Sequence, residues 1–183
     1  MYRVKFTLVG IAPLLFNAWT KEAIDKLRTG ATGGKMSPQE REEEALSKVY
    51  RNGDGLYLPG DNLEACLFQG TKKAALKRGR ASLAPFVQAA VFCEDREMSL
   101  GAKEPDGIHE VVGRRPPRTG GAVLIRRPIL NAWSVSGTFL VADDALDPGQ
   151  LREALDAAGL VAGLCDWRPK YGRFRVADFE VVR

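Results

Sequence analysis

Gly159-Leu160-Val161-Ala162-Gly163-Leu164-Cys165-Asp166-Trp167-Arg168-Pro169-Lys170-Tyr171-Gly172-Arg173-Phe174-Arg175 joins a segment of helical spacing to one of strand alternation, and the reading of its two sides decides the fold. Three glycines, Gly159, Gly163 and Gly172, stand among Arg168, Lys170, Arg173 and Arg175. Glycine lets a main chain come close to a ligand and take positive φ, and guanidinium groups match phosphate oxygens in pairs. The loop is therefore a candidate contact for a polyphosphate or a nucleic-acid backbone. The plainer alternative is a helix C-cap followed by an irregular loop whose charges face water.

Outward on the N-terminal side, Asp147 and Pro148 occupy favoured N-cap and N1 positions, and Leu151, Ala154, Leu155 and Ala158 form a buried stripe that Gly159 is expected to end. On the C-terminal side, Phe174 to Val182 reads as a strand whose alternation slips between Val176 and Phe179, which predicts a bulge. In Trp133 to Val141, Trp133, Val135, Phe139 and Val141 point one way and Ser134, Ser136 and Thr138 the other. Tyr2 to Leu8 repeats that period of two, with Tyr2, Val4, Phe6 and Leu8 inward and Arg3, Lys5 and Thr7 outward. Between them, Asp61 is placed to cap a helix from Asn62 to about Arg78, with Leu63, Cys66, Leu67, Gly70 and Ala74 as its buried face, and Phe86 to Cys93 reads as a buried strand.

The order strand, helix, strand, strand, helix, strand predicts an α+β fold, a ferredoxin-like (RRM-like) βαββαβ core in a single domain 1–183, with insertions at about 11–56 and 94–131. The first insertion holds an extended apolar segment, Ile11 to Trp19, a short helix Lys21 to Arg28, a glycine-rich break Thr29 to Ser37 and a helix Pro38 to Tyr50. Gly30, Gly33, Gly34 and Lys35 look like a phosphate loop only at a glance, since Met36 follows the lysine and no buried strand leads in. In the second insertion, Gly107 to Pro128 reads as a long hairpin with a basic tip.

A chain of 183 residues, 45% hydrophobic, suffices for one well-buried core. It has no apolar run of about 18 residues and no apolar segment behind a basic N-terminus, so neither a membrane span nor a signal peptide is expected and a cytoplasmic location follows. Cys66, Cys93 and Cys165 are odd in number and far apart, which argues for reduced, mostly buried thiols and against a disulfide framework or a zinc site. Net charge is only +4, yet the charges are segregated. Acidic residues gather in Glu40 to Glu44, Glu94 to Glu97 and Asp143 to Asp156, and cations in Lys72 to Arg80, Arg114 to Arg127 and Arg168 to Arg175. Separated basic segments are the footprint of a polyanionic partner.

The candidate nucleic-acid-binding residues are Arg3 and Lys5 on the open strand face, Lys72 and Lys73 at the first core helix, and Arg114, Arg115, Arg118, Arg126 and Arg127 on the hairpin. Gly163, Arg168, Lys170, Tyr171, Gly172, Arg173 and Arg175 complete the set on the glycine-rich loop. A solvated helix end, favoured by the macrodipole, is the alternative for Lys72 and Lys73. In the predicted sheet Arg3, Lys5 and Thr7 share an open face with Ser134, Ser136 and Thr138, basic and hydroxylic and without aromatic residues. Contacts to phosphate and sugar are expected there in place of base readout.

Two motifs carry a family resemblance. Tyr57-Leu58-Pro59-Gly60-Asp61-Asn62-Leu63-Glu64-Ala65 and Gly163-Leu164-Cys165-Asp166-Trp167-Arg168-Pro169-Lys170-Tyr171-Gly172-Arg173-Phe174 resemble the first-helix opening and the C-terminal glycine-rich loop of the RAMP (repeat-associated RNA-binding) superfamily, which forms the backbone of CRISPR effector complexes. The chain also looks like phage or mobile-element relatives of that family. The resemblance implies a non-catalytic subunit that polymerises along single-stranded RNA, or single-stranded DNA in a phage setting, with copies of itself or related subunits, and without cofactor or metal. On that reading Leu14, Leu15, Phe16 and Trp19, together with the hairpin, are contact arms to a neighbouring copy, the alternative being that Leu14 to Trp19 completes the core. Two other classes stay open: an endoribonuclease using His109, the only histidine, with help from Tyr171 and Lys170, and an assembly protein that binds no nucleic acid.

Overall fold

The computed structural model describes residues 1–30, 36–115 and 118–182. In chain order the elements are β1 (Tyr2–Gly10), β2 (Leu14–Leu15), α1 (Lys21–Thr29), α2 (Pro38–Leu46), β3 (Arg51–Asn52), β4 (Gly55–Pro59), α3 (Gly60–Lys73), β5 (Lys77–Arg78) and β6 (Ala81–Ser82). There follow α4 (Ala84–Ala90), β7 (Val91–Cys93), β8 (Glu97–Ser99), β9 (Gly107–Arg115), β10 (Gly121–Leu130), β11 (Ser134–Val141), α5 (Pro148–Val161) and β12 (Phe174–Val182). The fold is mixed helix and strand, and every strand pairing described is antiparallel. No helix among the described residues is long and apolar enough to cross a membrane.

Alternation in β1 sets the centre of the molecule. Val4 and Leu8 are fully buried, and Tyr2 and Phe6 nearly so. Directly opposite on β11 stand Val141, Phe139 and Val135, paired with Tyr2, Val4 and Leu8. Gly137 faces Phe6 because any Cβ there would lie 2.8 Å from the ring, which packs on Phe139 at a centroid distance of 4.4 Å. Burying each such side chain contributes roughly 1.5–3 kcal/mol. The central sheet runs β12-β1-β11-β7, and Leu63, Cys66 and Leu67 of α3 join Leu151, Ala154, Leu155 and Ala158 of α5 in the same core. The two helices touch at Gly70, where a Cβ would sit 2.3 Å from the Cα of Ala158.

The structure corrects several boundaries. Asp61 does not cap α3: Pro59 is the N-cap without a side-chain bond, and Asp61 sits in the first turn 3.4 Å from Arg96. The helix stops at Lys73 because the chain turns at Ala75, φ 53°, so that Lys77 and Arg78 start a small hairpin with β6. Phe86 to Cys93 is mostly helical: Pro85 opens α4, Ala84, Val87 and Ala90 are buried at intervals of three, and only Val91–Cys93 extends. A short apolar run fits either periodicity, and here the helical one wins. Helix α2 ends at Leu46, well before Tyr50, although its start carries a full capping box between Ser37 and Glu40.

At α5 the Asp147 cap forms as expected, its carboxylate accepting from the amides of Gly149 and Gln150. Gly159 does not end that helix. It lies inside it, with a Cβ there only 2.3 Å from the carbonyl oxygen of Phe174, so its smallness admits the last strand. The left-handed terminal residue is Gly163, φ 73°, whose amide donates to the carbonyl of Ala158. The predicted bulge in β12 is present: Thr7 faces Asp178, Leu8 faces Val176, and Ala177 is the extra residue.

Leu14, Leu15 and Phe16 are fully buried, and Leu14 and Leu15 pair with Leu130 and Ile129 of β10, so they complete the core and are not contact arms. Trp19 alone of that group stays exposed, at 70%. Gly33, Gly34 and Lys35 lie outside the described residues. The hairpin is present as β9 and β10, in register from Gly107 opposite Ile129 to Arg115 opposite Gly121.

All three cysteines are free, and burial pushes each thiol from its ordinary 9.0 up to about 12. The Tyr2 phenol, buried near Asp147 and Asp144 and donating to the carbonyl of Leu146, is raised from 10.0 to about 12. Groups whose folded pKa is raised stabilise the protein fully below their unfolded pKa and lose that contribution as pH climbs toward the folded value. The unfolding free energy is therefore expected to be insensitive to these groups below pH about 8.5 and to fall above it, by up to roughly 1.4 kcal/mol per thiol per pH unit, carrying the melting temperature down with it. Thermal melts over an alkaline series check this, and a curve flat to pH 11 contradicts it.

Candidate nucleic-acid interface

The glycine-rich loop is built by its own backbone. The amide of Leu164 donates to the carbonyl of Gly172, that of Gly172 to Pro13, that of Asp166 to Leu15, and that of Tyr171 to Trp167. Gly172 has φ 70°, and a Cβ there would lie 2.0 Å from the oxygen of Leu164; at Gly163 it would lie 2.8 Å from the oxygen of Tyr171. Both glycines are buried. The reading of Gly163 and Gly172 as places where the main chain comes close to a phosphate is thus corrected: the Gly163 amide donates to the carbonyl of Ala158 in α5 and the Gly172 amide to that of Pro13, so both are taken within the protein. What the loop presents outward is a row of side chains. Arg168, Lys170, Arg173 and Arg175 are exposed, and none takes part in an ion pair among the described residues.

The base of the hairpin is fastened to this loop. Arg127 Nε donates to Asp166 Oδ2 at 2.6 Å, with the two side chains only 12% and 24% exposed. His109, directly opposite Arg127 across the hairpin, lies 3.3 Å from the Tyr171 hydroxyl through Nε2, and meets the Trp167 ring edge-on at 5.6 Å. Trp167 and Tyr171 are 6.2 Å apart, so one histidine of the hairpin and two aromatic residues of the loop form a single cluster. Asp166 is thereby taken by Arg127, and Arg168 is left to face solvent.

The other candidates divide by partner. Arg126 is held by Glu110, its opposite neighbour on the hairpin, and Arg127 by Asp166, so both are structural arginines. Arg3 makes a two-bond pair with Glu94, at 2.9 and 3.0 Å, which engages one edge of its guanidinium while the side chain stays 54% exposed. Lys5 stands opposite Glu180, and Asp178 stands opposite Thr7, which also bonds the Ser136 hydroxyl at 2.9 Å. The β12 bulge is the cause, because it brings Asp178 and Glu180 to the open face. That face is mixed in charge, and the expectation of a basic face is corrected. Lys73 caps the end of α5 by donating to the carbonyl of Val161, while Lys72 is exposed on α3. Arg114 is exposed and donates to the carbonyl of Gly120 at the hairpin end; Arg118, φ 74°, is exposed beside it. The side chain of Arg115 lies outside the described residues.

Besides Arg3 and Lys5 on the open sheet face and Lys72 on α3, the outward candidate cations thus lie around the loop and at the hairpin end. The sequence missed the fastening between them. Asp166 and Arg127 are 39 residues apart, and nothing in either local pattern announces the pair. The one available signal was the coincidence of the only histidine with a Trp and a Tyr in the two segments already singled out.

Changing Arg127 to alanine is expected to leave Asp166 without its charged partner in a partly buried place and to lower stability by about 1.5–3 kcal/mol. A thermal melt checks it, and an unchanged midpoint means the pair contributes nothing.

No protein-family model matches the sequence, and no curated protein matches it either. Among solved structures, the fold is similar to that of a chain in the cryo-EM structure of the Type III-B Cmr-beta bound to cognate target RNA, with a TM-score of 0.57 at 10% sequence identity. The similarity covers 100% of this chain and 61% of that one, so the present chain spans less than two thirds of its structural neighbour.

Proposed function

We propose that the protein is a non-catalytic backbone subunit with a ferredoxin-like core, which holds single-stranded RNA through phosphate contacts and lines up with copies of itself or related subunits along the strand. The central sheet order and the two core helices support the ferredoxin-like description. The observation that carries the function is the set Arg168, Lys170, Arg173 and Arg175: four exposed cations without a described ionic partner, three on a loop whose backbone is fixed before any ligand arrives and the fourth at the start of β12. Pre-set geometry lowers the ordering cost of binding, and charges not already satisfied are the ones that gain from a phosphate. The likeness in fold to a chain from an RNA-bound assembly favours RNA over DNA.

Each phosphate neutralised on a single strand releases counterions, with a log-log salt slope of roughly −0.7 per contact. Four contacts predict a slope of roughly −3 for a single copy on a short strand. Fluorescence anisotropy on short oligonucleotides of several sequences measures it. Affinity unchanged between low and moderate salt defeats the proposal, and a strong sequence preference defeats its phosphate basis. Competition between RNA and DNA of one sequence decides the ligand, since only RNA offers the 2′-hydroxyl.

A second reading, metal-independent RNA cleavage, is favoured by one observation: Tyr171 and His109 stand within 3.3 Å of each other, beside exposed Lys170. An imidazole can take the proton of a 2′-hydroxyl as it attacks the adjacent phosphate; the P–O bond to the 5′-oxygen breaks, that oxygen takes a proton from water or the Lys170 ammonium, and a 2′,3′-cyclic phosphate end is left. Incubation of labelled RNA with a chelator present tests it. Absence of cleavage, or cleavage undiminished in His109→Ala, rejects it.

A further inference from the structure

On one side β10 is paired with β9 from Gly121 to Ile129, but on the other only Ile129 and Leu130 have a partner among the described residues, in β2. The alternation of its backbone says what is left over. Ile129 turns its carbonyl toward the β9 side, where it accepts from the amide of Asp106, and Pro128 turns its own the other way, where it accepts from Phe16. A proline has no N–H to donate, so it stands in a paired strand with its nitrogen on the open side. Residues two and four positions before it share its orientation, because peptide groups along a strand alternate. The amides of Arg126 and Leu124 therefore point away from β9, and no described residue accepts from them there. The Arg126 carbonyl agrees with this direction, since it accepts from Nη1 of Arg127.

This bare edge opens into a groove of about 540 Å³ whose opposite wall is α2. Residues 122–127 line it consecutively, as the edge of a strand does and one of its faces does not. Of the charged residues around it, Lys48 is tied to Glu44, Arg126 to Glu110 and Arg127 to Asp166. Arg41, on the α2 wall, is exposed and joins no ion pair among the described residues, so it is the surplus cation.

We infer that this groove is a docking site for an extended segment of a different protein, which adds to β10 as a further strand and presents a carboxylate to Arg41. At about 3.4 Å per residue the edge accommodates roughly five or six residues of such a segment. Main-chain bonds along an edge supply the affinity of strand addition, and side-chain pairing supplies the choice of partner. The same edge of a second copy is a poor occupant, because it brings its own α2 wall and its own Arg41 with it. The inference does not rest on the RNA reading.

The probe is a labelled octapeptide of alternating valine and glutamate, blocked at both ends and titrated by anisotropy onto the full chain. It is expected to bind and to slow hydrogen exchange at the Leu124 and Arg126 amides. The same peptide N-methylated at alternate residues keeps its side chains but loses the strand donors, and should not bind. Leu124→Pro removes one edge N–H without touching the β9 pairing and is expected to weaken binding about tenfold. Arg41→Glu should make a valine–lysine octapeptide the better ligand. Thermal melts check that both variants fold. No binding, or equal binding of the N-methylated peptide, overturns the inference. So do Leu124 and Arg126 amides that exchange slowly before peptide is added, which would mean that the chain itself or a second copy already covers the edge. Displacement of the peptide by a short oligouridylate assigns the groove to nucleic acid and also overturns it, whereas an oligouridylate that fails to bind at all rejects the RNA reading alone.

Discussion

Replacing Arg168 and Arg173 together with alanine is expected to weaken single-strand binding by about 3–6 kcal/mol, from roughly 1.5–3 kcal/mol for each charged hydrogen bond lost, which is on the order of 10²- to 10⁴-fold in affinity. The melting temperature should hardly move. Both side chains are exposed and neither joins a described ion pair, so the folded protein loses no internal partner. Arg127, whose guanidinium is tied to Asp166, should show the opposite balance. Titration by anisotropy beside a thermal melt separates the cases. A double variant that melts early and binds normally would make the loop cations structural and remove the basis of the proposed interface.

The second large effect is expected at Gly172. A methyl group there meets the Leu164 carbonyl oxygen at 2.0 Å, its amide nitrogen at 2.7 Å, and a backbone with φ 70°. Neither obstacle is the far end of a flexible side chain, so the main chain itself must move. Left-handed backbone in a non-glycine residue costs about 1–2 kcal/mol, and overpacking typically adds 1–3 kcal/mol. Gly172→Ala is therefore expected to lose about 2–5 kcal/mol of stability and, because the loop cations lose their fixed frame, to weaken strand binding as well. Gly79, with φ 61° and open space around it, is the control: alanine there carries only the conformational cost. Denaturant unfolding of both variants measures the difference, and equal losses would mean that the close approach of Leu164 and Gly172 is unimportant.

Much of the central sheet could be read from alternation, because one face of β1, β11 and β12 is buried and the other is open. Even the slip in β12 was visible, since Val176 and Phe179 cannot both point inward without an extra residue. Phe86 to Cys93 differs from its strand reading for the converse reason: an apolar run with no polar alternation carries no period, and Pro85 opens a helix there, leaving only Val91–Cys93 to extend as the edge strand. At the candidate interface the sequence supplied the cations but not their partners. Arg3, Arg126 and Arg127 look like Arg168 and Arg173 in composition, and only the fold reveals that Glu94, Glu110 and Asp166 already hold them. Glycines were equally double-edged. Gly163 and Gly172 suggested close approach, which is correct, but the thing approached is the loop's own backbone.

The bulge at Ala177 has a consequence for solubility. Strand β12 is the outer member of the central sheet, nine residues long, and a straight unpaired edge of that length is a template on which foreign strands add without limit. The extra residue breaks the even row of donors and acceptors, and Arg152 reaches from α5 to donate to the Val176 carbonyl at 3.3 Å, covering one rung beside the break. The edge is thereby blunted against amyloid-like stacking, and a concentrated solution of the protein is steered away from precipitation through its sheet.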